Sequence, residues 1–153
     1  MLKDWQESEE KLVPFVLKED NKDFSKMVDT LVGYSKGIKI EETFVEHSTY
    51  WLMNEKNKIL GVVNIRHRLN EGLLRRGGHI GYGITPSERR KGYATEILRL
   101  ALHKAKELGI ERALVTCDKD NMGSAKTITK NGGILESEIL YDGTVIQRYW
   151  IEI

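Results

Sequence analysis

With one cysteine, Cys117, the chain can form neither an internal disulfide nor a thiolate metal cluster. Only two prolines interrupt its 153 residues, and no segment is low in complexity, so the composition asks for no disordered tail. No apolar run approaches the roughly 18 residues that span a bilayer, and Met1-Leu2-Lys3-Asp4-Trp5-Gln6-Glu7 lacks the charged-then-apolar order of an export signal. These absences set the expectation of a cytoplasmic protein with no membrane partner. An excess of one charge is lacking too. Against 23 acidic side chains stand 24 basic ones, a net charge of +1 that gives nucleic acid no long-range attraction. A 40% hydrophobic content at this length predicts one compact domain, residues 1–153, whose core needs no metal.

What is present is periodicity. Residues 13–17 read as a first strand. Phe24, Met27, Val28 and Leu31 then recur at helical spacing, with Asn21 or Asp23 as the cap and Gly33 near the end. Residues 35–46 read as an irregular connection. Residues 49–53 and 59–65 read as a hairpin about the polar turn at 54–58. The run 79–85 reads as a strand stopped by Pro86. Two glycines inside it, Gly81 and Gly83, mark either a backbone that a ligand approaches closely or close packing on the next helix, and the ligand reading is preferred.

Ala94, Ile97, Leu98, Ala101, Leu102, Ala105 and Leu108 form one apolar stripe, which predicts a helix over 92–108 closed by Gly109. Residues 113–117 make a short strand, so strand, helix and strand form a crossover for which a right-handed parallel connection is expected. Asn121 caps a further helix ending at Gly132-Gly133. Residues 134–141 and 144–153 then form a hairpin about Asp142-Gly143.

Basic charge gathers locally at Arg66-His67-Arg68, Arg75-Arg76 and Arg89-Arg90-Lys91. The first two clusters suit solvated loops. The third opens a helix, where the first amides have no partners and the aligned peptide dipoles leave positive charge, so Gly92, Ala94 and Thr95 can offer N–H groups to an anion. The triphosphate loop G-x-x-x-x-G-K-[ST] is absent. The three-glycine dinucleotide fingerprint also fails, because Gly81 and Gly83 are followed by Ile84, Thr85 and Pro86. What remains is Arg89-x-x-Gly92-x-Ala94, which resembles the [QR]-x-x-G-x-[GA] signature of the GNAT superfamily of N-acetyltransferases. Asn121-Met122-Gly123-Ser124 and Lys130-Asn131-Gly132 are similar to that family's N-x-x-[SA] and K-x-G segments, in the same order.

The resemblance implies an α/β fold in which helices flank a mixed central sheet, and acetyl-coenzyme A as co-substrate. By resemblance, Arg89, Arg90, Lys91, Gly92, Tyr93, Ala94 and Thr95 hold its pyrophosphate, and Ile84 and Thr85 offer backbone groups to the pantetheine in a gap between splayed strands. Asn121, Ser124 and Lys126 meet the far arm or the adenosine phosphate. The implied reaction is direct attack by a primary amine of a small molecule or peptide. Family members often carry a glutamate where this chain has His79, and an imidazole with a reference pKa of ~6.5 is the candidate proton acceptor. Arg66 and His67 on the facing strand are reserve candidates for substrate contact. A tyrosine that protonates the departing thiolate in many relatives is replaced by Ile128, leaving Tyr141 or Cys117 as substitutes, although a free cysteine more often packs a core. Other classes of answer are a non-catalytic acyl-coenzyme A binding or sensing domain and an interaction module using only the sheet. Tyr149 and Trp150 suit a core strand or a homodimer contact equally.

Overall fold

Residues rich in β-branched and aromatic side chains build six strands in the computed structural model, which describes residues 1–153. They are β1 (His47–Met53), β2 (Ile59–Arg66), β3 (Ile80–Ile84), β4 (Arg112–Asp118), β5 (Ile134–Tyr141) and β6 (Thr144–Glu152). Five α-helices join them: α1 (Leu2–Glu7), α2 (Phe24–Ser35), α3 (Glu71–Arg75), α4 (Tyr93–Glu107) and α5 (Met122–Lys130). Asp23 caps α2 and Asn121 caps α5, each accepting the amide three residues on.

The α/β class stands. The strands form two three-stranded antiparallel sheets, ordered β1-β2-β3 and β4-β6-β5, with helices on their faces. The apolar stripe of α4 buries Ile97, Leu98, Ala101 and Ala105 against β2 and β3, in one core with Ile65, Ile80, Ile128 and Ile151. The other face of the first sheet is covered from the N-terminal side, where Trp5, Val16, Leu17, Met27 and Leu31 pack with Val62.

Where the crossover predicted a parallel pair, β3 and β4 meet at one point and form no ladder. The His79 amide donates to the Leu114 carbonyl at 2.7 Å, and the Leu114 amide donates to His79 Nδ1 at 2.9 Å. The facing edges of the two sheets are otherwise unpaired.

Residues 13–17 are not a strand. Pro14 has no amide to give a ladder, and a 3-10 turn over Phe15–Lys18 lets Val16 and Leu17 both turn into the N-terminal cluster. The short helices α1 and α3 were not anticipated. The two β3 glycines make room for close packing within the protein, and Gly83 also lines the cleft described below, where the ligand reading keeps its place. A Cβ at Gly81 would stand 2.9 Å from Arg66 Nη1, and one at Gly83 would overlap the Val13 carbonyl oxygen. Both approaches come from the side away from α4, so packing on that helix is not what the glycines serve.

Candidate active site

A cleft of about 640 Å³ opens between the end of β3, the start of α4 and the start of α5, with Glu10 and Lys11 from the N-terminal segment on its wall. Its shape follows from the turn before α4. Arg90 (φ 65°) and Gly92 (φ 85°) both take left-handed conformations, and a Cβ on Gly92 would meet nothing within 4 Å. Alternation of this kind turns successive amides to one side as an anion-binding concavity. From Arg90 through Ala94, five consecutive backbone N–H groups have no partner within the protein. The Thr95 amide is not among them, contrary to expectation, because it donates to the Gly92 carbonyl at 3.1 Å.

Of the turn's charged side chains, Arg89 and Arg90 line the cleft, whereas Lys91 turns away to Glu88 Oε2 at 2.9 Å. Glu88 also accepts from Lys58, and these two ammonium groups, Lys58 foremost, hold its carboxyl below the usual range. Lys91 thus braces the turn from behind. Arg89 makes a two-pronged pair with Glu10, both bonds 2.7 Å, while its Nε donates to the Ile84 carbonyl at 3.3 Å.

The backbone of β3 divides by parity. Arg66 donates to the His79 carbonyl and Thr85 to the Leu60 carbonyl, so pairing with β2 engages the odd-numbered residues of this stretch. Antiparallel geometry then turns the N–H and C=O groups of Tyr82 and Ile84 toward the unpaired edge facing β4. The expectation for Ile84 therefore fits the geometry. Thr85 does not fit, being 1% exposed with its amide and hydroxyl donated to the Leu60 and Ile59 carbonyls of β2.

Tyr93, Ala94 and Thr95 line the cleft, as do Asn121, Ser124 and Lys126. Asn121 Oδ1 is spent on its cap, and Ser124 Oγ meets the Tyr82 hydroxyl at 2.9 Å. Lys130, one turn beyond Lys126, adds a further cation. Burial raises the Tyr82 phenol to about 12 despite the Ser124 bond, so it stays protonated at neutral pH. Burial likewise lifts the Cys117 thiol to about 11. Ile128, where a hydroxyl was missed, lies in the core at 0% exposed, and Tyr141 sits by Arg76 away from the cleft.

His79 is placed poorly for a proton acceptor. It is 8% exposed and off the cleft, its Nδ1 already accepts the Leu114 amide, and burial followed by the Arg66 charge lowers its pKa to about 4. Its neutral ring ties the two sheets together. His67 lines no cavity of note and pairs through Nε2 with Ser48 Oγ at 2.9 Å, whereas Arg66 lies on the far face of the sheet in a second cavity. Tyr82 and Glu10 escaped the sequence reading, which named Lys130 only within a motif and gave it no place in the cleft. For Tyr82 the signal was available, since its place in the strand alternates with the glycines onto the face that α4 covers.

A two-sheet α/β fold with an amide-lined concavity at the mouth between the sheets defines an anion-binding α/β cleft. The chain belongs to the GNAT acetyltransferase family: the family model described as Acetyltransferase (GNAT) domain matches residues 5–134. It is 32% identical over 75 residues to the protein of Bacillus subtilis (strain 168) called uncharacterized N-acetyltransferase YjdG, a match covering 48% of this chain and 42% of that protein. The match thus spans less than half the length of that curated relative. Among solved structures it is similar in fold to a mutant form of spermidine N-acetyltransferase SpeG from Vibrio cholerae, with a TM-score of 0.64, 14% identity, and coverage of 99% of this chain and 88% of that one. A GNAT-family acetyltransferase from Bacillus anthracis aligns with a TM-score of 0.56 and 23% identity, over 68% of this chain and 65% of that one.

Proposed function

We propose that the protein is an N-acetyltransferase that moves an acetyl group from acetyl-coenzyme A to the primary amine of a small molecule or peptide, with the cytoplasm as its setting. One observation carries this reading: five unpartnered amides, Arg90 to Ala94, surround an open Gly92 at the start of α4. A side chain at Gly92 would fill that concavity. The amides and Arg90 would hold a diphosphate, Lys126 and Lys130 a further phosphate, and the Tyr82 and Ile84 backbone an extended amide-bearing arm.

Bound acetyl-coenzyme A supplies an acyl group activated as a thioester. The chain's own contribution is mainly positioning and fixed dipoles, since an edge N–H of β3 can polarise the carbonyl with no side chain involved. Tyr82, kept protonated and oriented by Ser124, is the hydroxyl placed to return a proton to the departing sulfur. No free carboxylate lines the cleft, because Glu10 is paired with Arg89 and Glu88 with two lysines. The amine therefore loses its proton to water.

That missing side-chain base also favours a second reading, a non-catalytic acyl-coenzyme A sensor. Thiol release from acetyl-coenzyme A, followed across a panel of amines, separates the two. Amine-dependent release supports the transferase. Coenzyme binding with release no faster than hydrolysis for every amine leaves only the sensor.

A further inference from the structure

The face of the first sheet away from α4 carries a second cavity of about 290 Å³, lined by Phe15, Phe44, Val45, His47, Arg66 and Leu73. Arg66 is 9% exposed and forms no ion pair. One bond is placed on it, from Nη1 to the Gly77 carbonyl at 3.2 Å, and its Nε is buried with no partner. The remaining neighbour is the Phe15 ring, 5.7 Å from Cζ. A guanidinium has five donors and always carries its charge, so leaving most of them unused in an apolar cavity is costly unless an anion completes the site.

The protein supplies no such anion. His47, opposite Arg66 in the β1–β2 pairing, and His79, whose carbonyl accepts the Arg66 amide, are titratable neighbours that feel its charge, and both are basic. Glu46, the carboxylate just before β1, is turned to Arg68 at 3.1 Å. The cavity therefore combines one buried cation with aromatic walls. A carboxylate matches a lone guanidinium in shape and charge, and the phenyl rings favour an apolar or aromatic body behind it.

The position relative to the coenzyme gives this a purpose. The Arg66 guanidinium packs on Gly81, and the next residue, Tyr82, lines the coenzyme cleft on the opposite side of the strand. We infer that this cavity is the acceptor subsite and that Arg66 binds the carboxylate of an amine-bearing acid, an amino acid or the C-terminus of a short peptide. The inference rests on the acetyltransferase reading. It excludes polyamines and other polycations as acceptors, since they would meet Arg66 with nothing to offer it.

Matched pairs test it: L-phenylalanine and L-leucine against their carboxamides in the thiol-release assay, with phenylacetate against phenylacetamide in calorimetric binding. Carboxamides have the less basic amine, so unguided chemistry favours them. The wild type is expected to prefer the acids by about tenfold or more in kcat/KM, as loss of a charge-assisted pair implies. Arg66→Met should erase that preference by lowering turnover of the acids toward that of the amides. Thr43→Glu, at the exposed cavity rim, supplies a competing carboxylate and should do the same if Arg66→Met fails to fold. Thermal stabilisation by acetyl-coenzyme A reports that each variant is intact. Turnover without discrimination between acid and amide, or a preference that survives Arg66→Met, overturns the subsite and spares the transferase. Phenylacetate binding that depends on Arg66, with no amine turned over, supports the subsite and overturns the transferase.

Discussion

Mild acid should weaken this fold before any carboxylate titrates. His79 and His47 are 8% and 2% exposed, and burial followed by the Arg66 charge lowers each to about 4 from the ordinary value of 6.5. A histidine with a depressed folded pKa gives its full stability above the unfolded value and loses it as pH falls toward the folded one, because the unfolded chain takes up the proton first. At about pH 5 the loss is about 2 kcal/mol per histidine, approaching about 3 kcal/mol near pH 4. Two histidines sharing Arg66 will not add fully. The lowered glutamates, Glu10 and Glu88 among them, keep their stabilisation until pH falls into the usual carboxylate range and lose it from there downward, so the interval from about pH 6.5 to 5 belongs to histidine. Urea unfolding at about pH 7.5, 6 and 5 measures the slope. Substituting His79→Gln, whose amide oxygen can still accept the Leu114 N–H, should flatten it by about half while preserving the fold and acetyl transfer. A wild-type stability that is level across that interval, or a slope unchanged by His79→Gln, would show that His79 is not a neutral tie between the sheets.

Other consequences follow from single contacts. Tyr82→Phe should lower kcat about tenfold or more while KM for acetyl-coenzyme A changes little, as expected for a proton donor that binds nothing in the ground state; an unchanged kcat assigns the proton to water. Gly83→Ala should destabilise by about 1–3 kcal/mol in thermal unfolding, because its methyl meets the Val13 carbonyl oxygen, and a neutral result would show that the N-terminal segment yields readily. Amine acetylation should rise with pH along the titration of the acceptor amine. A plateau already reached at about pH 5 would instead point to a base such as His79.

The parts of the fold that local pattern determines were legible in the sequence. The stripe from Ala94 to Leu108, the Asn121 cap and the Asp142-Gly143 turn each specify their structure through short-range geometry, and all three stand where expected. The turn before α4 was readable as an anion cradle because Gly92 and the arginines are contiguous. What escaped depends on contacts between distant residues. Nothing around Pro14 announces that Val16 and Leu17 will share a cluster with Trp5 and Val62, so an apolar run read as a strand became a 3-10 turn. Gly81 and Gly83 signalled close approach correctly, but their spacing could not name the approaching group, which is Arg66 in one case and Val13 in the other. His79 occupied the position of a base by analogy alone. Its role is set by Leu114, 35 residues away, whose amide takes the lone pair a base would need.

The proposed activity depends above all on Gly92 sitting within a cradle for a diphosphate, and one isosteric pair probes that cradle. Asn and Asp both tolerate the left-handed conformation found at Gly92 and are nearly equal in size, so Gly92→Asn and Gly92→Asp differ chiefly by one negative charge. Calorimetric titration with acetyl-coenzyme A should give measurable binding to the wild type, weaker binding to the Asn variant, and binding at least about tenfold weaker again to the Asp variant. Equal affinity of all three proteins would mean that the coenzyme binds elsewhere and that the turn before α4 holds no phosphate.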